Sequence, residues 1–364
     1  MRIIDRYIFK SIFSSFLGCI LTFQFLYVII DLFSNLDDLL KQKAKLTLLG
    51  LYYLSYLPVI FIQVTPVACL LATIYTLGVL NKNNEVTALR ASGLSVWRIA
   101  NVAVIFGAVI SVLVFMVNER IVPSAQNSLV SIRNEIQSQG AKRPEESIIK
   151  NMSIYGQKNR LFFVNKFSIK ENRLDGIVIL EHDRHQELIK KIVASSGIWE
   201  DKMWKFYDSI TYNFDQSGQI EGEPTYFKEE LMDIRETPVD FLKQRQHPEY
   251  MNISQLKSYI SILSKSGAKT VIRNFKVDLY QRFTFPLTSL VIIILGIPFA
   301  LMIKKRASAL SSIGISILLG FLYYVFSAVS LAFGKAGFLP PYLAASLAHI
   351  VFLGFGLYKI YTTP

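Results

Sequence analysis

Six apolar stretches, each long enough to cross a hydrocarbon layer about 30 Å thick, constrain this chain more than any other feature. They are Ile12–Ile30, a stretch within Leu46–Leu80, Ile99–Val117, Phe283–Ile303, Ala307–Phe333 and Pro341–Tyr358. Inside a bilayer no water satisfies the backbone, so each stretch must be helical. Leu46–Leu80 exceeds one crossing and holds Pro58 and Pro66, which predicts a kinked helix whose first turns lie outside the hydrocarbon. Arg2, Arg6 and Lys10 form a basic flank, but Ile12–Ile30 is too long for a cleaved signal and is expected to be retained as the first span.

No Asp, Glu, Lys or Arg falls within the six stretches. A charge at the bilayer centre costs about 2.5–3.5 kcal/mol on insertion scales and marks ion paths and proton relays. Its absence argues against an ion-coupled transporter and against a channel. His349 is the ionisable group well inside, and an interhelical hydrogen bond is its expected role. The chain has 52% hydrophobic residues and a net charge of +12, with the basic residues beside the apolar runs. That pattern fits anionic lipid and excludes nucleic acid as the natural partner.

No phosphate-binding G-x-x-x-x-G-K-[ST] loop, H-E-x-x-H pair or G-x-S-x-G elbow occurs, so no catalytic residue is assigned. His182 and His185 lack a third nearby ligand, so no metal site is expected. Cys19 and Cys69 lie in apolar runs and make no disulfide framework. No cofactor is expected, and energy for any transport must come from another subunit.

Lys and Arg in the short loops set orientation. Arg2, Arg6, Lys10, Lys82, Arg90, Arg98, Lys304, Lys305, Arg306 and Lys359 fall on one side; Lys41, Lys43, Lys45 and Lys335 fall on the other. Both termini are therefore expected in the cytoplasm, with residues of about 120–280 outside.

That insertion begins helical over Ser124–Gln139. Five alternating segments then read as strands: Arg160–Ser168, Leu174–Glu181, Glu187–Ser195, Met203–Asn213 and Thr225–Asp233. Even spacing without intervening helices predicts a small antiparallel sandwich or open barrel. Its aromatic residues, among them Phe162, Phe163, Phe167, Trp199, Trp204, Phe206 and Tyr207, read as core, or as the lining of an interior open to acyl chains. Asn252 is positioned to cap a helix over Ile253–Lys265, and a further helix from about Lys269 runs into the fourth span.

Three other constellations stand out. Asn81–Trp97 predicts a short helix between spans two and three, with Asn83 or Asn84 capping it and Glu85 at its positive end; it reads equally as an interfacial connector. Ser308, Ser312, Ser316 and Gly320 put small residues on one face of span five, for close packing inside the chain or for a separable lateral contact. Lys41, Lys43, Lys45, Arg133, Arg273, Lys276, Arg282 and Lys335 form a basic collar at the outer membrane edge, as solvated charge or as ligands for lipid phosphate.

IIDRYIFKSIF over 3–13, NNEVTALRASGLS over 83–95, RFTFPLTSLVIIILGIPFAL over 282–301 and GFLPPYLAASLAHIVFLGFGLY over 337–358 resemble segments of the lipopolysaccharide export permeases LptF and LptG. The order of six spans with an insertion after the third is similar too, so the resemblance covers essentially the whole chain. It implies a polytopic α-helical membrane protein of the inner membrane with an inserted antiparallel β-jellyroll-like periplasmic domain. The domains are then 1–120, with a coupling helix over 83–96, then 121–270, then 271–364. It further implies a permease subunit that is not itself an enzyme. Its implied partners are a homodimeric cytoplasmic ATPase that binds the ATP, a second permease subunit and periplasmic bridge components. Lipopolysaccharide would be drawn from the outer leaflet and handed to the bridge.

Carried residue by residue, the resemblance assigns ATPase coupling to Glu85 with Val86, Leu89, Arg90, Gly93 and Leu94, and headgroup contact to Arg133. The family's first-span lysines have no counterpart: Asp31, Asp37 and Asp38 stand at or near those positions, and Lys41, Lys43 and Lys45 are the candidates to substitute. Two other readings stay open: a permease for another lipid or a lipoprotein, and a non-transporting receptor or assembly factor. The orientation is checked by single-cysteine labelling in right-side-out vesicles. An impermeant thiol reagent is expected to reach Gln216→Cys and to spare Asn83→Cys; labelling at 83 reverses the topology.

Overall fold

The computed structural model describes residues 3–36, 45–137, 148–157, 159–183, 187–201, 203–215, 218–243, 251–264, 269–302 and 309–362. The chain divides into two compact units, one formed by Met1–Gln137 with Lys276–Pro364 and the other by Ser138–Phe275.

The first unit holds six helices long and apolar enough to cross a membrane. Helix α1 (Ile3–Ser34) is the first span. It begins well before the apolar stretch Ile12–Ile30, because nothing between Ile3 and Ile12 breaks a helix. Helix α2 (Leu46–Lys82) runs through Pro58 and Pro66 without interruption. The Thr65 hydroxyl donates to the Phe61 carbonyl just before Pro66, whose ring can donate nothing. After the short α3 (Glu85–Ala91), α4 (Val96–Met116) continues through a π-helical turn (Val117–Ile121) into α5 (Val122–Gln137).

Helix α5 therefore belongs to the membrane unit, with Val122 and Leu129 in its core. The expected boundary at 121 falls some turns later because the helix has no stop signal there. Helix α8 (Lys269–Thr284) passes through a 3-10 turn at Phe285–Leu287, where Pro286 removes a donor, into α9 (Thr288–Met302). Helices α10 (Ala309–Ala336) and α11 (Pro341–Thr362) complete the unit.

Helix α9 is the hub. Ile292, Ile293, Leu295, Ile297 and Ala300 are all buried, so it is covered on every side. Gly296 lets it approach α2, where an added Cβ would lie 2.7 Å from Leu70. Gly356 does the same between α11 and Ile294. Helix α1 is attached differently. It buries only Ile8, Ile12, Phe16 and Ile20, one stripe at four-residue spacing, and leaves Leu21, Phe25 and Phe33 exposed.

The second unit is one antiparallel sheet with strands in sequential order. They are β1 (Ile148–Tyr155), β2 (Arg160–Ser168), β3 (Arg173–His182), β4 (Leu188–Glu200), β5 (Met203–Asn213) and β6 (Thr225–Met232). Strand β1 lies outside the expected strands, because Lys150 and Asn151 separate its buried Ile149 and Met152 and break a period of two. The sheet is a meander, each strand joined to its neighbour, and it is creased. Pairing skips one row of residues that crosses the sheet, along Asn151, Asn165, Gly176, Ser195, Asp208 and Lys228. Gly176 and Asp208 have positive φ, +64° and +49°. Across this row the inward face slips by one residue: Phe162 and Val164 are buried before it, Phe167 after it. The crease lets a single sheet wrap a core that the sequence reading assigned to two sheets or a barrel.

That core is closed by α6 (Pro238–Lys243), whose Phe241 packs against Phe162, Phe167 and Trp204 at 5.7, 5.9 and 5.5 Å between ring centroids. The Trp204 indole donates to the Glu236 carbonyl, and the Gln157 amide donates to the buried Glu236 carboxylate. Helix α7 (Ile253–Ser264) opens with a reciprocal capping box, Asn252 to Gln255 and back at 2.9 and 2.8 Å; Lys265 lies outside the described residues. Phe241→Ala is expected to destabilise this unit by about 3–5 kcal/mol. Phe163→Ala, on the outer face, should cost under about 1 kcal/mol. Hydrogen exchange at the β2 and β5 amides of the full-length chain measures both; equal effects would put the core on the wrong face.

Candidate functional site

Helix α3 sits in the loop between α2 and α4 and is fixed at both ends. Asn84 enters it in the left-handed conformation, φ +61°, and makes no side-chain cap. The expected asparagine cap is therefore absent, because a cap needs an extended residue at that position. Asn83 instead donates from Nδ2 to Glu85 Oε1 at 3.3 Å. The Tyr7 hydroxyl of α1 donates to Glu85 Oε2 at 3.1 Å. At the other end Leu94 N–H bonds Leu89 O and Gly93 N–H bonds Arg90 O, with Gly93 at φ +86°. This is the Schellman closure that favours glycine.

The helix is thereby oriented. Val86 is buried and Leu89 packs against the membrane-unit core. Thr87, Ala88, Arg90 and Ala91 are exposed, and Glu85 is half-buried at the rim. The apolar face is thus spent within the chain, and the polar edge is what another molecule would meet. Asn81, at the end of α2, donates to the Leu301 carbonyl of α9 at 2.9 Å. Glu85 thus stands where α1, α2 and α9 end together. Glu85 is legible in the sequence, but its partner Tyr7 comes from a distant helix.

The family model described as lipopolysaccharide export system permease LptF/LptG matches residues 6–362. The chain belongs to this family. It is 22% identical over 366 residues to the lipopolysaccharide export system permease protein LptG of Escherichia coli strain K12, spanning 98% of each chain. It is 22% identical over 355 residues to LptG of Haemophilus influenzae, spanning 96% of each. The LptF/LptG proteins are permease subunits, and six apolar helices agree with a multi-pass protein of the inner membrane.

The small-residue face of α10 is turned inward where it is described. Ser316 is buried, and an added Cβ at Gly320 would lie 3.7 Å from Leu70 of α2. Ser308 lies outside the described residues, and the side chain of Ser312 is not among those described. The opposite face, with Ile317, Phe321 and Val325, is exposed.

The basic collar is spread over several elements. Lys45 is exposed at the start of α2 and Arg133 is exposed on α5. Arg282 is half-buried in the last turn of α8, and Lys335 pairs with Asp278 at 2.7 Å. Arg273 belongs to the second unit; Lys41 and Lys43 lie outside the described residues.

His349 Nε2 lies 3.1 Å from the Tyr323 hydroxyl and 3.3 Å from Thr288 Oγ1, tying α9, α10 and α11 together. No group of three or more His, Cys, Asp or Glu converges among the described residues. His182 ends β3, and His185 is outside the described residues. In the β unit the aromatic side chains divide: Phe162, Phe167, Trp204 and Phe206 are buried, while Phe163 is exposed. Tyr226 donates to Asp208 Oδ1 at 2.7 Å, and this hydrogen bond raises the phenol above its ordinary pKa.

The turn after α3 gives a direct test. Gly93→Asn, which tolerates the left-handed region, should keep the closure, whereas Gly93→Val should fray it at about 1–2 kcal/mol. Hydrogen exchange at Ser92 and Leu94 is then expected to rise about 5–30-fold in the valine variant.

Proposed function

We propose that this chain is one half-transporter of an ATP-driven complex that draws lipopolysaccharide from the outer leaflet of the inner membrane. The lipid passes to the β unit, acting as a periplasmic jellyroll-like trough, and then to bridge components. A second permease subunit completes the membrane path, and a homodimeric cytoplasmic ATPase supplies the work. Both termini and α3 face the cytoplasm in this reading.

The observation that carries the reading is Glu85, held by Tyr7 and Asn83 on a helix whose apolar face is already buried. The sequence contains no phosphate-binding loop, so force must enter through a contact. Glu85 touches α1, the span least embedded in its own bundle, so a push on α3 reaches the helix freest to move. Helices α1 and α10 present the exposed apolar faces for a lateral gate, with Ser316 and Gly320 setting how closely α10 packs on α2. Lys45, Arg133, Arg273 and Arg282, with Lys41 and Lys43, are the candidates for headgroup phosphate, through charge-assisted hydrogen bonds.

Truncating one member of a desolvated interfacial ion pair costs about 2–5 kcal/mol. Glu85→Ala and Glu85→Arg are therefore expected to insert normally, to recover less ATPase on purification and to lose lipid export. Full export and normal ATPase recovery in both variants would remove Glu85 from the coupling and leave Arg90 as the charged contact on α3.

A further inference from the structure

At the end of α1 remote from Tyr7 a second polar cluster is built into the bundle. Asp31 lies 24 residues beyond Tyr7, about 36 Å along the helix. Tyr27 and Asp31 are four residues apart and share one face of α1. Opposite them stand Tyr52, Tyr53 and Tyr56 of α2. Tyr53 donates to Asp31 Oδ2 at 3.1 Å. The Tyr27 and Tyr56 hydroxyls lie 3.2 Å apart, with their ring centroids at 5.9 Å. Tyr52 meets Tyr56 at 5.8 Å and Tyr53 at 5.2 Å. Four rings and one carboxylate thus form a connected cluster, and all five side chains are half-buried, neither sealed in nor splayed out.

The electrostatics of this cluster select a sign. Asp31 is paired with no Lys or Arg among the described residues. It sits in the last turn of α1, whose carbonyl end is negative and which holds no basic residue. A carboxylate among tyrosine rings repels anions and attracts an ammonium ion. The neighbouring surface is apolar: Phe25, Ile30 and Phe33 of α1 and Leu51 and Leu54 of α2 are exposed. A soluble amine would gain nothing from that surface, whereas acyl chains would cover it.

We propose that Tyr27, Asp31, Tyr52, Tyr53 and Tyr56 bind an ammonium group carried on a lipid headgroup. The assignment rests on the export reading above and narrows its substrate to headgroups bearing an amine. A tyrosine belt that merely anchors helices at the membrane boundary needs no carboxylate between its rings.

The test is native mass spectrometry of the full-length chain in detergent, with dihexanoyl phosphatidylethanolamine and dihexanoyl phosphatidylglycerol as probes. The two share phosphate and acyl chains and differ in the amine. The ethanolamine lipid is expected to be retained about tenfold better. Asp31→Asn, close in shape, should abolish that preference, and Asp31→Glu should keep it. Tyr56→Ala should weaken it, with an unchanged thermal midpoint as the check on folding. No preference in the unmodified chain, or an unchanged one in Asp31→Asn, overturns the site. Competition by free ethanolamine as strong as by the lipid overturns the lipid assignment. A chain that recruits ATPase but shows no preference loses this site alone; one that shows the preference but recruits no ATPase loses the export reading alone.

Discussion

The membrane unit depends on one fully covered helix. Helix α9 has no lipid-facing stripe: its isoleucines at 292, 293 and 297 are all buried. In a bilayer, apolar side chains gain little by leaving lipid, so helices are held by close packing and by a few polar contacts. Gly296 and Gly356 supply the first, by removing the side chain where neighbours approach. Thr288, Tyr323 and His349 supply the second. Around this hub the other spans differ in how much they bury, and that difference separates a rigid part from a part able to shift. Helix α1, held by one stripe, lies at the loose end of that scale.

The β unit solves a different problem. A single meander has two faces and two edges, and its hydrophobic side must be covered by something. Here the crease shifts the inward alternation by one residue on β1 to β5, so both halves of the sheet turn side chains to a shared interior. The positive φ at Gly176 and Asp208 and the hydrogen bonds of Ser195 to Tyr207 and Asp208 hold the bend.

Hydropathy made the spans legible because a bilayer imposes one rule on every residue of a crossing. Strands β2 to β6 were legible from alternation and turns, but the crease that folds them as one sheet was not. The slip at Asn165 and Gly176 looks, in sequence, like noise in a period of two. Glu85 could be picked out as the acid opening a short helix, but its partner Tyr7 lies 78 positions away and carries no local signal. The asparagine cap failed for a conformational reason, since Asn84 had to turn left-handed to start α3 at the required angle. The small-residue stripe of α10 was visible as a pattern, but a pattern cannot say which neighbour it faces; Leu70 answers that for Gly320.

Phe241 leads to a last point about the sheet's interior. The chain fills that space with a ring of its own, delivered by a six-residue helix at the end of the strands. An acyl chain that takes the same space must first expel this ring, so its observed affinity is its intrinsic affinity scaled by the fraction of molecules already open. Any molecule entering this space would therefore exchange with the ring rather than fill a void.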